Sequence, residues 1–188
     1  MNTIMTFKNK TLEKFYYQIM KKYPILMFKR LEIKKVLMDI ELPDKNNILD
    51  EQFFNDLHIN GCGDITVVWN INKILQSHPT NYKYFTSKDL FEIMNNTHQN
   101  MSELFSTLKP RGIYIHKTDI IILAMFPGFP QYTIIDGNHR VLEYFDNPAH
   151  KFKCLILDGT CILDYLEPNS RKLAEFLFKL ENILSHIK

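Results

Sequence analysis

"TIIDGNHRVLEYF", residues 133–145, runs three β-branched residues straight into Asp136, Gly137, Asn138, His139 and Arg140, and an apolar helical pattern follows at once. The first part reads as a buried strand and the last as a helix. A strand feeding directly into a helix brings the helix's first N–H groups to the strand's carboxyl end. Those groups have no partner within the helix and attract an anion. Gly137 allows a tight turn and a close approach to the amides. His139 and Arg140 add donors, and an arginine can grip a phosphate with two hydrogen bonds. Asp136 would repel a bare phosphate, so it suits a metal, a hydroxyl to be deprotonated, or a cap on the turn. The same residues also fit a plain Asp-Gly turn that binds nothing.

Outward from this stretch the chain alternates strands and helices. "QYTIID" (131–136) and "KFKCLIL" (151–157) read as strands around the helix "NHRVLEYFDN" (138–147), and "PGFP" (127–130) reads as a hairpin-like turn. "IYIHKTDIIILAMF" (113–126) supplies one or two strands, and "DITVVWNI" (64–71) another. Helices are expected over "SKDLFEIMNNT" (87–97), capped by Ser87, and over "NMSELFSTLK" (100–109). Near the start, Leu12, Phe15, Tyr16, Ile19 and Met20 recur at helical spacing, with Thr11 as the cap and Pro24 as the stop. "ILMFKRLEIKKVLMDI" (25–40) fits a strand or a second helix. "NSRKLAEFLFKLENILSHI" (169–187) is an amphipathic helix whose Phe176 and Phe178 fall on different faces, ready to pack on the N-terminal segment or a second subunit. The turn clusters "PDKNN" (43–47) and "INGCGD" (59–64) bracket a soft boundary. The fold class is α+β.

Composition narrows the function. Few Gly and Pro (6 and 8 of 188 residues) beside 14 Phe and 9 Tyr argue for one well-cored protein rather than disorder. The net charge of +2 hides an asymmetry: residues 1–35 carry nine Lys/Arg against Glu13 and Glu32, a net +7, which leaves −5 for the rest. Such a segment suits nucleic acid, an acidic peptide or an anionic surface, or is simply a solvated helix face. Three cysteines, Cys62, Cys154 and Cys161, form no CxxC pair, and seven histidines show no HxxxH or HxH spacing, so a zinc site or disulfide framework is not indicated. No secretory signal is expected, and the longest apolar run, "IIILAMFPGF" (120–129), falls far below the about 20 residues a membrane span needs. A cytoplasmic location with no membrane partner is expected.

"IIDGNHRVLEYF" followed by a short loop and "KFKCLIL" resembles the ParB/sulfiredoxin-like superfamily, in which a strand leads into a G-x-H-R or G-E-R-R box at a helix N-terminus. "ITVVWNINKIL" (65–75) resembles that family's first strand, and "MSELFSTLKPRGIYIHKTDIIILAMFP" (101–127) its helix, glycine turn and strand; the resemblance spans about residues 64–158. It implies a mixed sheet with flanking helices over residues 61–188, including the C-terminal helix, and a basic N-terminal extension or subdomain over residues 1–60. It also implies that Gly137, Asn138, His139 and Arg140 face nucleotide phosphates, with Asp136 at the rim on metal or base duty and Lys109 and Arg111 of "KPRG" nearby. ATP or ADP, with CTP an alternative, and Mg²⁺ would be the cofactors. Asn138 stands where sulfiredoxins carry their catalytic cysteine, which argues against that chemistry. Partition proteins carry an acid and two arginines in the box and a helix-turn-helix domain after it; Asn138-His139-Arg140 departs from that box and only about 30 residues follow the fold here, so a partition role is not expected. The D-G-x-H-R form is closest to free-serine-kinase-like members, which use a glutamate near the end of the first strand. Here the sequence is "NKILQSHPTNYKYF" (72–85), with no acid; His78 or Asp136 would be the base, and Glu92 and Glu103 sit further on. The expected function is a nucleotide-dependent enzyme, a small-molecule hydroxyl kinase or phosphohydrolase, with Asp136 and His139 catalytic. The alternatives are a nuclease-like or nucleic-acid-binding protein using basic residues 8–35, or a non-catalytic member that binds a peptide or protein.

Overall fold

In the computed structural model the described residues are 6–43, 52–77, 79–97 and 119–186. The elements in chain order are α1 (Lys10–Lys22), a 3-10 helix (Pro24–Lys29), α2 (Arg30–Met38), β1 (Gln52–Ile59), β2 (Gly63–Asn70), α3 (Ile71–Gln76), β3 (Tyr82–Thr86), α4 (Ser87–Thr97), β4 (Ile121–Met125), β5 (Tyr132–Asp136), α5 (Asn138–Glu143), β6 (Lys151–Leu157), a second 3-10 helix (Gly159–Tyr165) and α6 (Pro168–Ser185). The mixed α+β class stands, with two sheets and flanking helices. Contacts divide the chain into two compact units: residues 1–70 with 166–188, and residues 71–165. The position 60/61, where the sequence suggested a boundary, lies in the turn between β1 and β2.

In the first unit, α1 begins one residue before Thr11. Asn9, not Thr11, is its cap, because the Asn9 side-chain oxygen accepts from the N–H groups of Thr11 (2.8 Å) and Leu12 (3.2 Å). Leu12, Tyr16 and Ile19 are its buried stripe. The ambiguous stretch 25–40 folds as the 3-10 helix and α2: Ile33 and Leu37 are buried while Lys35 between them is exposed, whereas a strand would put all three on one face. β1 pairs antiparallel with β2 from Gln52↔Asn70 to Ile59↔Gly63. Two cross-strand partners bind through their side chains: Thr66 Oγ1 donates to Asp56 Oδ1 at 2.6 Å, and His58 meets Asp64 at 2.7 Å. The C-terminal helix α6 is tied to β2 by a hydrogen bond from the Val68 N–H to Ser170 Oγ (2.9 Å). Phe176 is buried and, with Ile33 and Val36 of α2, lines a groove between α2 and α6; Phe178 is half-buried.

The second unit holds the four-stranded sheet, in the order β3-β6-β4-β5. β6 runs antiparallel to β3 and parallel to β4, and β4 runs antiparallel to β5. Ile121, Ile122, Leu123 and Ala124 of β4 are all buried, as a strand covered on both faces requires. The β4–β5 connection is the expected hairpin: Phe129 N–H donates to Phe126 O at 3.0 Å, with Pro127 second and Gly128 at φ +80° third, the type II arrangement. α4 starts on a reciprocal cap made by Thr86 and Asp89, not by Ser87. The Asp89 N–H donates to Thr86 Oγ1 (3.2 Å), and Asp89 Oδ2 accepts from the Thr86 N–H (2.8 Å). The Thr86 hydroxyl, donating to Asp89 Oδ2 at 2.6 Å, and then the Thr86 N–H hold the Asp89 carboxyl below its usual range. Ser87 is buried one residue inside, where its N–H donates to His150 O. α4 and α5 cover a core built on Leu90, Met94, Leu123, Ile134, Val141 and Ile156. No described helix is long and apolar enough to cross a membrane. The expected helix 100–109 lies outside the described residues.

Candidate functional site

Asp136, Gly137, Asn138, His139 and Arg140 come together where β5 ends and α5 begins. The β4–β5 register shifts by one residue: Leu123 pairs with Ile134 and Ile122 with Asp136, so Ile135 is the extra residue just before the turn. A bulge there bends the strand as it delivers Asp136. Gly137 then adopts φ +106° and ψ 10°, and its carbonyl accepts the first helical hydrogen bond, from Val141 N–H at 3.1 Å. Gly137 has no side chain to cap α5, and the N–H groups of Asn138, His139 and Arg140 precede that first bond. With only six residues α5 has a small dipole, so any attraction for an anion rests on the individual N–H donors.

The φ of +106° fits the tight turn the sequence suggested at Gly137, and packing adds a second requirement for glycine. A Cβ built on Gly137 would lie 2.4 Å from Ile121 Cδ1 and 3.1 Å from Arg140 Nη2. The space on that side is filled by the protein's own side chains rather than held open for a ligand. Packing and backbone conformation together therefore demand glycine.

Arg140 also turns inward. It is 7% exposed, its Nη1 donates to Ile120 O at 2.7 Å, and its Nη2 donates to Asp136 Oδ2 at 2.8 Å. The guanidinium thus ties the start of β4 to the end of β5 across the turn. It also lies near Cys154, the β6 residue that pairs with Ile121. Burial pushes the Cys154 thiol up to about 12, against weaker opposing pulls from the Phe85 backbone and Arg140. Asp136 commits Oδ2 to Arg140 and keeps a half-exposed side chain. Asn138 is half-buried, and its Oδ1 is fully covered with no hydrogen-bond partner among the described residues. His139 is half-buried beside it.

Of the other residues singled out in the sequence, Lys109, Arg111, His78 and Glu103 lie outside the described residues. Glu92 is exposed on α4. No group of three or more His, Cys, Asp or Glu that could hold a metal occurs among the described residues. A Mg²⁺ at Asp136 would therefore need oxygens from a bound phosphate, as Mg²⁺ sites commonly use. Sequence reasoning missed the aromatic group just past the box. Tyr144 stacks on His150 with ring centroids 3.7 Å apart, and both meet Phe152 edge-on. The aromatic "YF" after the helix and the returning histidine were the available signal. Compared with family models, curated proteins and solved structures, the chain has no match.

Proposed function

We propose that this chain is a nucleotide-binding protein of the ParB/sulfiredoxin-like kind, holding the phosphates of ATP or ADP, with CTP an alternative, at the β5–α5 turn. The observation that carries the reading is Asn138 Oδ1, a covered polar atom with no partner among the described residues, beside the first-turn N–H groups and the Asp136 carboxylate. Buried polar atoms are nearly always satisfied, so an orphan at such a turn asks for a ligand or water. The Asn138 and His139 amides would face the phosphates. The half-exposed Asp136 would share a Mg²⁺ with phosphate oxygens.

In its most concrete form the activity is phosphoryl transfer to a small-molecule or peptide hydroxyl, or hydrolysis. His139 would neutralise charge as it develops on the transferred group, and Asp136 would serve metal or base. Arg140 enters this reading as the residue that fixes the turn, since its donors go to Asp136 and Ile120.

The test is a thermal-unfolding series of wild type and Asn138→Ala with ATP, ADP and CTP plus Mg²⁺. A ligand at about 100 times its dissociation constant adds about 2.7 kcal/mol to the folded state. Wild type should shift with one nucleotide and Asn138→Ala should lose that shift while keeping its ligand-free midpoint within a degree or two. If no nucleotide shifts the wild type, the turn is purely structural.

A further inference from the structure

The helical apex of the first unit exposes side chains that a folded chain normally hides. Phe28 is 73% and Leu31 74% exposed, and Ile25 and Met27 beside them are about half exposed. Only Leu26 of the 3-10 helix is buried. Met27, Leu31 and Lys35 follow one another at i, i+4 and i+8, and Phe28 is three residues before Leu31, so the apolar side chains and a cation share one outward face. Residues 21–35 contain six basic residues and one acid, Glu32, for a net +5. Lys21, Lys22, Arg30 and Lys35 are themselves exposed.

A cluster of protruding large apolar groups marks an interaction surface. Its chemistry selects among partners. A second copy would bring +5 against +5. A nucleic acid would use the cations but gain little from Ile25, Met27 and Leu31, because bases stack on aromatic rings. Exposed aliphatic and aromatic side chains flanked in the sequence by exposed Lys21, Lys22, Arg30 and Lys35 match the boundary of an anionic bilayer, where apolar tips enter the acyl region and long basic side chains reach up to the headgroups.

We propose that this apex, Ile25 to Leu31 with its flanking cations, is a peripheral docking surface for an anionic lipid bilayer. It needs no spanning helix, and it works independently of the β5–α5 turn. The full-length chain is to be spun with sedimenting vesicles of phosphatidylcholine alone and of phosphatidylcholine mixed with phosphatidylserine, at low and high salt. Wild type should pellet with the anionic vesicles at low salt, and salt should weaken the binding. Phe28→Ser/Leu31→Ser should cut binding about tenfold, and Arg30→Glu/Lys35→Glu should do so too, with circular dichroism unchanged because all four side chains face solvent. Failure to pellet with anionic vesicles overturns the proposal, as does equal pelleting of wild type and both variants. Sedimentation equilibrium and single-stranded oligonucleotide binding run alongside. If the apolar variant abolishes self-association or oligonucleotide binding while vesicle binding persists, the surface belongs to a second copy or a nucleic acid and the proposal falls.

Discussion

Replacing Gly137 with alanine should destabilise the second unit through two effects that can be separated. The first is conformational: a side chain in the left-handed region costs roughly 1–2 kcal/mol. The second is steric: the new Cβ would sit 2.4 Å from Ile121 Cδ1, a buried atom on a central strand, and 3.1 Å from Arg140 Nη2. Overpacking of that kind costs about 1–3 kcal/mol. Gly159 supplies the control, since it has φ +59° and nothing within 4 Å of its would-be Cβ. Alanine at either position also restricts the unfolded chain, stabilising by about 0.4–1 kcal/mol, and that gain cancels in the comparison. Gly137→Ala should therefore be worse than Gly159→Ala in urea denaturation by more than the about 1–3 kcal/mol of overpacking alone, because φ +106° also lies outside the left-handed well that Gly159 occupies. Ile121→Val removes the clashing Cδ1 and alone costs about 0.5–1.5 kcal/mol. Combined with Gly137→Ala it should relieve strain, so the double variant should be more stable than the sum of the singles by at least about 0.5 kcal/mol. Equal costs at the two glycines, or strict additivity with Ile121→Val, would refute the packing account of Gly137.

Three further outcomes follow from other contacts. Arg140→Met should cost about 2–4 kcal/mol, because it strands the Ile120 carbonyl and takes the partner from Asp136, and Asp136→Asn should also be destabilising, because it keeps an acceptor for Arg140 but leaves the buried guanidinium without a counter-charge; an unchanged denaturation midpoint for Arg140→Met would sink that assignment. Alkylation at about pH 8 should modify Cys161, which is exposed, well before Cys62 and Cys154, which are buried and whose thiols burial pushes up; mass spectrometry showing Cys154 reacting as fast as Cys161 would contradict the buried site. Asp89 has a carboxyl held below its ordinary value, so its contribution is fully present above the unfolded value of about 4 and is lost as pH falls through the lower folded value. Thr86→Val, which removes the hydroxyl that bonds it, should be less stable near neutrality and lose less stability on acidification; an unchanged acid slope would rule out the Thr86–Asp89 cap as the cause.

The elements that were legible in the sequence are those whose burial is set by period and whose ends are set by local chemistry. α1, α4 and α6 carry apolar residues at helical spacing, and β2, β5 and β6 are rich in β-branched or aliphatic residues. The caps slipped, by two residues at α1 and by one at α4, because Asn9 and Thr86 sit close to equally good candidates, Thr11 and Ser87, and only geometry chooses. β1 was missed because Asn55, Asp56 and His58 break its apolar pattern. The structure shows those polar groups engaged across the hairpin or, for Asn55, buried, which no local rule foretells. β3 was missed because it is a five-residue edge strand following Pro79, with Tyr84 left largely in solvent. Nor could the sequence show how exposed Phe28 and Leu31 are, since burial there depends on what packs beside the apex.

At the box, composition revealed where the polar residues gather but not which way they point. Arg140 was read as facing outward because arginine suits phosphate. Its inward direction depends on Ile120 O, twenty residues away in the chain and adjacent only once β4 and β5 pair. The two halves of the box then have different physical roles. Gly137 and Arg140 are fixed by packing and hydrogen bonds, so changes there should lower stability whether or not a ligand is present. Asn138 is different, because its covered oxygen contributes no hydrogen bond among the described residues. Losing it should leave the ligand-free protein nearly unchanged and show only in the response to a ligand. A rigid turn of this kind also suits binding, since little ordering remains to be done when a ligand arrives. The separation is itself testable. If Asn138→Ala destabilises the ligand-free chain as much as Arg140→Met does, the oxygen has a structural partner in the protein and the turn needs no ligand to explain it.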